Sequence, residues 1–277
     1  NTIHGVFGKY TSDIDKENKK LGAARNTGLV NARGNFVWFV DSDDFIKENC
    51  LQEVLKMCEN NCLDIFHWSI LNNQNEWITQ LQDSNVVSGK DDVIQGWNYG
   101  PFDITFPWNR IYRRQFLIEN NLLFNDLWGG DVIHTIKALD AAQRIKNSSQ
   151  CYYFYRIDNP NSDMRSPTSA NKVFSFLFEL GKAVRECGVT EVSKEIAPII
   201  TSCGEWRINQ GFKGIIKLPL REKKKLYEIL SRRQDVKKYV VTYSNTPVRL
   251  LIKYPILAQL LHPIYHITSI AKQVLHL

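Results

Sequence analysis

Phe36-Val37-Trp38-Phe39-Val40-Asp41-Ser42-Asp43-Asp44 is the stretch on which the reading of this chain turns. Its apolar part is β-branched and aromatic, has no polar alternation, and is led in by Gly34-Asn35. That pattern predicts a strand buried on both faces, of the kind found inside a parallel sheet. Ligand sites in open α/β sheets lie at the carboxyl ends of strands. Asp41, Asp43 and Asp44 would repel one another there unless something positive sat between them. A divalent cation is the simplest such partner. Hard oxygen ligands suit magnesium or manganese, which usually share their shell with substrate phosphates. The alternative is a solvated Asp-rich turn in which Asp44 caps a helix from Phe45 onward.

Upstream, Leu21-Gly22-Ala23-Ala24-Arg25-Asn26-Thr27-Gly28-Leu29 opens a helix that runs through Ala32 and stops at Gly34. Arg25 and Asn26 then fall near the same sheet edge as Asp41. A fixed cation and an amide suit a phosphate or a nucleobase edge. A surface helix arginine is the plain alternative for Arg25.

Taken together, residues 21–46 resemble the family 2 glycosyltransferases, which have the GT-A fold. The resemblance rests on Gly22-Ala23-Ala24-Arg25-Asn26-Thr27-Gly28, on Gly34-Asn35, and on the apolar strand ending in Asp41-Ser42-Asp43-Asp44. It implies a sugar-nucleotide donor held by a divalent metal. Asp43 would ligate that metal, Asp41 would sit against the ribose and the metal shell, and Arg25 and Asn26 would face the nucleotide.

Two later segments extend the resemblance. Trp108-Asn109-Arg110-Ile111-Tyr112-Arg113-Arg114 is similar to the family's W-x-[KR]-[IL]-Y-[RK] segment. Trp128-Gly129-Gly130-Asp131 then falls where family members usually carry a Glu-Asp pair opening a helix. Here Gly130 replaces the Glu and Asp131 remains. The resemblance makes Asp131 the general base that takes the acceptor hydroxyl's proton. The local alternative is an N-cap on a helix from Val132 to Ala142. Tyr152-Tyr153-Phe154-Tyr155-Arg156, followed by Asn159-Pro160-Asn161-Ser162, resembles the family's Y-x-Y-R…S segment. Arg156 could then counter the leaving diphosphate, or it could be a solvated arginine on an aromatic edge strand.

The resemblance covers roughly residues 15 to 165. The family's opening strands, with P-x-[YF]-N and D-D-G-S-x-D turns, do not precede Leu21. The chain opens Asn1-Thr2-Ile3 and reads as lacking those nucleotide-binding strands.

At 277 residues, with 43% hydrophobic and 12% aromatic content, the chain is globular and not disordered. Cys50, Cys58, Cys62, Cys151, Cys187 and Cys203 form no C-x-x-C pair, so reduced thiols are expected. Helix and strand signals alternate up to about residue 165. Glu48 to Asn60 reads as helix, Asp64 to Leu71 as strand, Ile78 to Gln82 as a returning strand, and Gly89 to Trp97 as a short helix. Beyond Pro167, Ala170 to Cys187, Thr190 to Asn209 and Leu220 to Lys238 read as helices. Residues 1–165 thus form a GT-A-like mixed-sheet domain, and residues 166–277 a helical region.

The net charge is +6, concentrated in Lys223-Lys224-Lys225, Arg232-Arg233 and Lys237-Lys238. An apolar tail from Thr246 to Leu277, broken by Pro247, Pro255 and Pro263, follows. A basic helix beside such a tail suits an anionic membrane surface. Alternatively the tail packs on the catalytic domain and the basic helix is solvated. No nucleic-acid-binding motif accompanies the basic run.

The leading reading is an inverting, metal-dependent glycosyltransferase acting on a polysaccharide or lipid-linked glycan acceptor in cell-envelope polysaccharide biosynthesis. It would be cytoplasmic, and peripheral on the inner face of the membrane. The alternatives are a degenerate, non-catalytic relative that binds a glycan or partner, and a basic membrane-associated scaffold.

Overall fold

The computed structural model describes residues 21–96, 106–125, 129–159 and 168–260. The readings made above for the opening residues, for Trp128 and the segment 160–167, and for the tail beyond residue 260 lie outside that range. The chain divides into two compact units. One is Asn1–Ser162 with Glu191–Ile199, the other Asp163–Thr190 with Ile200–Leu277.

The first unit is built on a six-stranded sheet. Its strands are β1 (Phe36–Trp38), β2 (Phe45–Ile46), β3 (Ile65–Asn72), β4 (Trp77–Thr79), β5 (Arg110–Arg113) and β6 (Ile145–Tyr155). The order is β1-β5-β3-β6-β2, with β4 folded back on β3. Only β3 and β6 run parallel among these pairs, so the sheet is mixed. The central strand β3, Ile-Phe-His-Trp-Ser-Ile-Leu-Asn, is buried at every position but Leu71. Covered on both faces, it needs no polar alternation.

The decisive apolar run differs from the interior parallel strand expected of it. β1 lies antiparallel to β5 and has no second strand partner among the described residues. Its residues are half-buried, and Val40 is 40% exposed. The missing alternation has another cause, because successive side chains of a strand point to opposite faces and both faces meet aromatic layers. Trp38 packs edge-on against Trp68, with ring centroids 4.7 Å apart. Phe39 turns the other way onto Tyr112, Phe124 and His134.

Helices α1 (Leu21–Asn31), α2 (Leu51–Asn60), α3 (Gly89–Gly96), α4 (Arg114–Glu119) and α5 (Gly130–Ala141) belong to the same unit. Asp64, buried at the start of β3, fastens it together. It accepts hydrogen bonds from Arg113 Nη2 at 2.7 Å and from the Gln143 and Arg144 backbone at 2.9 and 3.1 Å. A buried polar chain crosses the strands. Arg110 donates to Asn109 Oδ1, Asn109 Nδ2 meets His67 Nε2, and His67 Nδ1 meets Asn147 Oδ1. Asn147 in turn donates to Asp92 on α3. With Asn147 donating to Asp92, its oxygen accepts from His67, which fixes the proton on Nδ1.

The second unit is helical. A run of α-helix at Ala170–Lys172, π-helix at Val173–Glu179 and α-helix at Leu180–Thr190 is followed by Ala197–Asn209 and Gly211–Lys217. Then come α10 (Leu220–Arg232), α11 (Gln234–Tyr243) and α12 (Thr246–Lys253), the four preceding α-helices, without the π-helix, being α6 to α9. The expected helix from Leu220 to Lys238 is thus two. Arg233 leaves helical geometry at φ −104°, ψ 65°, and its guanidinium pairs with Glu179 and Asp235.

Of the tail, residues 246–260 are described. Val248, Leu251, Ile252 and Ala258 are at most 1% exposed and join the core of this helical unit. Their apolar face is therefore satisfied by helices of the same unit. Lys223, expected on a charged surface, is likewise buried, and its Nζ donates to the Ala258 carbonyl at 2.8 Å. Cys50, Cys58, Cys187 and Cys203 are buried, Cys62 is exposed and Cys151 lies between. No helix among the described residues is long and apolar enough to cross a membrane.

Candidate active site

Three elements distant in sequence meet at one buried cation. Arg25 on α1 is 8% exposed. Its Nη2 donates to Asp41 Oδ1 at 2.7 Å, and its Nη1 lies 3.6 Å from Asp131 Oδ2. The guanidinium carbon sits 5.3 Å from the centre of the Phe124 ring. Arg25 therefore links the turn after β1 to the first turn of α5. A guanidinium suits this task because its planar fork can hold two carboxylates at once.

The Asp41–Asp44 segment is a turn, closed by Asp44 N–H donating to Asp41 O at 3.2 Å. The short strand β2 follows it, so Asp44 caps no helix. Asp44 Oδ1 instead accepts from the Arg156 backbone N–H at 2.8 Å, and Oδ2 accepts from the Tyr153 hydroxyl. That hydroxyl also accepts from Asp41 N–H at 3.3 Å. Tyr153 thus ties both ends of the turn to β6. Asp43 Oδ2 accepts from Asn159 Nδ2 at 2.8 Å.

Asp131 lies in the first turn of α5, whose N-cap is Gly129 in the left-handed region at φ 78°, ψ 23°. It is therefore inside the helix and not its cap. Its Oδ1 accepts from Val132 N–H at 3.1 Å. Burial pushes its carboxyl above the usual range, and Arg25 pulls in the opposite direction.

Asn26 is held by the backbone of Phe124. Its Nδ2 donates to Phe124 O and its Oδ1 accepts from Phe124 N–H, each at 2.8 Å. Both ends of the amide are committed to the backbone of Phe124, much as a neighbouring strand would be. Arg156 does lie at the turn. Its guanidinium rests 4.7 Å from the Phe45 ring centre and 3.8 Å from Asp158. Half exposed, it remains reachable from solvent.

His134 stands beside Arg25 but offers no base chemistry. Burial, helped by Arg25 and Arg110, lowers its pKa to about 3. It stacks on Phe124 at 3.8 Å, and neither ring nitrogen has a hydrogen-bond partner among the described residues.

Among the described residues no three His, Cys, Asp or Glu side chains gather to enclose a metal ion. With one oxygen of Asp41 held by Arg25 and one of Asp43 held by Asn159, each carboxylate keeps a second oxygen. That set fits a magnesium- or manganese-like ion bound by one or two carboxylates plus phosphate oxygens, and not a closed protein cage.

Sequence reasoning named Tyr153, Asn159 and Phe45 but gave none of them a role at the site. Strand alternation carried part of the signal. Tyr153 and Tyr155 share a face of β6 and both stack on Trp108, at 4.5 and 5.7 Å.

Asp44 gives a pH-dependent consequence. Burial, against two hydrogen bonds that oppose it, raises its pKa from 3.8 to about 6. The folded state therefore holds this proton more tightly than the unfolded chain does. Ionising Asp44 costs stability as pH rises through about 6, and the cost is absent below the ordinary carboxylate range. The shift corresponds to at most roughly 3 kcal/mol. Urea unfolding of the wild type should lose stability between pH 4 and 7 relative to Asp44→Asn. Parallel pH profiles for the two proteins would show that Asp44 titrates normally.

Residues 13–121 match the family described as glycosyl transferase family 2. The matched span contains Arg25, Asn26, Asp41 and Asp43 and ends before Asp131. The uncharacterized glycosyltransferase EpsJ of Bacillus subtilis is 30% identical over 156 residues, 54% of this chain and 45% of that protein. The glycosyltransferase GlyA of Streptococcus pneumoniae is 27% identical over 158 residues, 52% of this chain and 22% of that protein. The chain thus spans less than half the length of these relatives. In fold it is similar to TarS 1–349 of S. aureus, crystallised with UDP-GlcNAc, with a TM-score of 0.59. The two are 20% identical, and the likeness covers 87% of this chain and 68% of that one. The chain thus resembles glycosyl transferase family 2 over its segment 13–121, and its fold is GT-A.

Proposed function

We propose that the first unit moves a sugar from a nucleotide-sugar donor to a hydroxyl of a polysaccharide or lipid-linked glycan, with inversion at the anomeric carbon. The observation that carries this reading is Arg25, which joins the carboxylate turn to Asp131. The crystallisation of TarS with UDP-GlcNAc and with UDP supports the donor class.

In this reading Asp43, with Asp41, would hold a divalent metal. When bound, that metal offsets the diphosphate's negative charge. Arg156, stacked on Phe45 and half exposed, adds a second positive charge for the leaving group. Asp131 Oδ2 takes the acceptor's hydroxyl proton while the acceptor oxygen forms its bond to the anomeric carbon. The bond to the diphosphate oxygen breaks, and that oxygen leaves with the electron pair. One base suffices, and no sugar is attached to the protein. A raised carboxyl pKa strengthens Asp131 as a base, while Arg25 keeps it ionisable. Arg25 thus acts on the two carboxylates, and Asn26 holds the Phe124 backbone.

Asp131→Asn should lower turnover by roughly 10²–10⁴-fold with donor affinity unchanged. Asp43→Asn should abolish the divalent-dependent part of nucleoside diphosphate binding in calorimetry. A product that keeps the donor's anomeric configuration, or a fully active Asp131→Asn, would remove Asp131 from this role. Donor binding without any transfer would favour the alternative, a non-catalytic glycan- or partner-binding relative.

The second unit favours contact with an anionic membrane surface. Arg221, Lys224, Lys225 and Arg232 are exposed along one face of α10, opposite the buried Lys223, Leu226 and Leu230. Leu250, Tyr254, Ile256 and Leu260, later in the same unit, are also exposed. Each basic residue near such a surface contributes about 1 kcal/mol, an attraction that fades with salt. Charge reversal at Lys224 and Lys225 should release the protein from phosphatidylserine vesicles at low salt. Equal sedimentation of variant and wild type would argue that α10 is only solvated.

A further inference from the structure

The segment after α4 meets two helices at two glycines, and one residue makes both contacts. A Cβ placed on Gly22 of α1 would lie 2.5 Å from the Asn125 carbonyl oxygen. A Cβ placed on Gly130 of α5 would lie 2.6 Å from that same oxygen and would overlap Asn125 Oδ1. Real side chains do not approach so closely, so both helices reach Asn125 only because each lacks a Cβ there. The neighbouring residue is fixed as well, since Phe124 is held by both ends of the Asn26 amide.

These two glycines flank the functional pair. Arg25 lies one helical turn beyond Gly22, and Asp131 directly follows Gly130. Moving either helix away from Asn125 would change the 3.6 Å separation of Arg25 Nη1 and Asp131 Oδ2. We propose that Asn125 is a positioning residue, a wedge between α1 and α5 that holds Asp131 at its working distance from Arg25. Gly130 is then not a gap in the site. Asn125 already fills the space in which a side chain at 130 would begin, with its carboxamide oxygen. This role rests on the transferase reading above.

The two contacts differ in a way that makes the proposal testable. Gly130 meets both the side chain and the backbone of Asn125, whereas Gly22 meets only the backbone of that residue, at 2.5 and 3.5 Å, beside the Phe124 Cβ at 3.3 Å. Gly130→Ala and Gly22→Ala should each lower Tm by roughly 5 °C through overpacking. Adding Asn125→Ala should restore part of the Gly130→Ala loss, because the carboxamide is gone and the carbonyl remains. It should restore none of the Gly22→Ala loss. Asn125→Ala alone should lower kcat by roughly 10–100-fold while donor KM stays unchanged, as expected when a reacting group is displaced. A merely structural contact would move Tm and leave kcat alone.

Equal rescue at both glycines, or wild-type Tm and kcat in Gly130→Ala, would overturn the wedge. Wild-type kcat in Asn125→Ala would overturn its positioning role. Failure of the transferase reading would look different. The wild type would then transfer no sugar from a panel of nucleotide-sugar donors, with the Tm pattern intact, and the positioning role would fall with that reading.

Discussion

The buried guanidinium of Arg25 is the constraint on which the first unit's candidate site depends. A cation this far from solvent is costly unless paired, and Arg25 is paired on two sides. Removing Arg25 would leave two carboxylates uncompensated in a confined space. The pairing therefore fixes which ends of α1, the β1–β2 turn and α5 must lie together. The ring of Phe124 completes the surround beneath the guanidinium. Chemistry and fold meet here in one residue, because the contacts that make the cation tolerable also bring Asp41 and Asp131 to a common place.

The carboxylate turn has its own support. Tyr153 reaches from β6 and bonds to both ends of it, and Trp108 stacks on Tyr153 at 4.5 Å. Trp38 in β1 donates its indole N–H to the Trp108 carbonyl at 2.7 Å. The strand that leads into the turn and the strand that receives it are thus joined through one aromatic layer. Asp44 carries the burden of this arrangement. Its hydrogen bonds favour the ionised form, yet burial outweighs them.

Much of this was legible in residue types and order, and the limits have physical causes. The Gly22–Gly28 helix, the Asp41–Asp44 turn and Asp131 were each readable as separate pieces. Their meeting at Arg25 was not, because contacts between segments so far apart in sequence leave no local pattern. The bonds of Asn26 to the Phe124 backbone were not legible either, because an amide that completes a backbone pairing looks, in sequence, like one that faces a ligand. The strand at Phe36–Trp38 was misplaced because two aromatic layers produce the same unbroken apolar run as a buried parallel strand. Lys223 was a different kind of error, since the signal was present. Lys223, Leu226 and Leu230 share a helical face, so that lysine belonged with the core and not with the basic stripe.

The coupling of Arg25 to its carboxylates is measured most directly by a double-mutant cycle on unfolding free energy, using Arg25→Met and Asp41→Asn. The two side chains share a 2.7 Å hydrogen bond in a largely buried setting. The cycle should return an interaction energy of at least about 1 kcal/mol, within the range for residues in one buried network. Losses that add to within about 0.5 kcal/mol would mean the two residues do not sense each other, and would contradict the account.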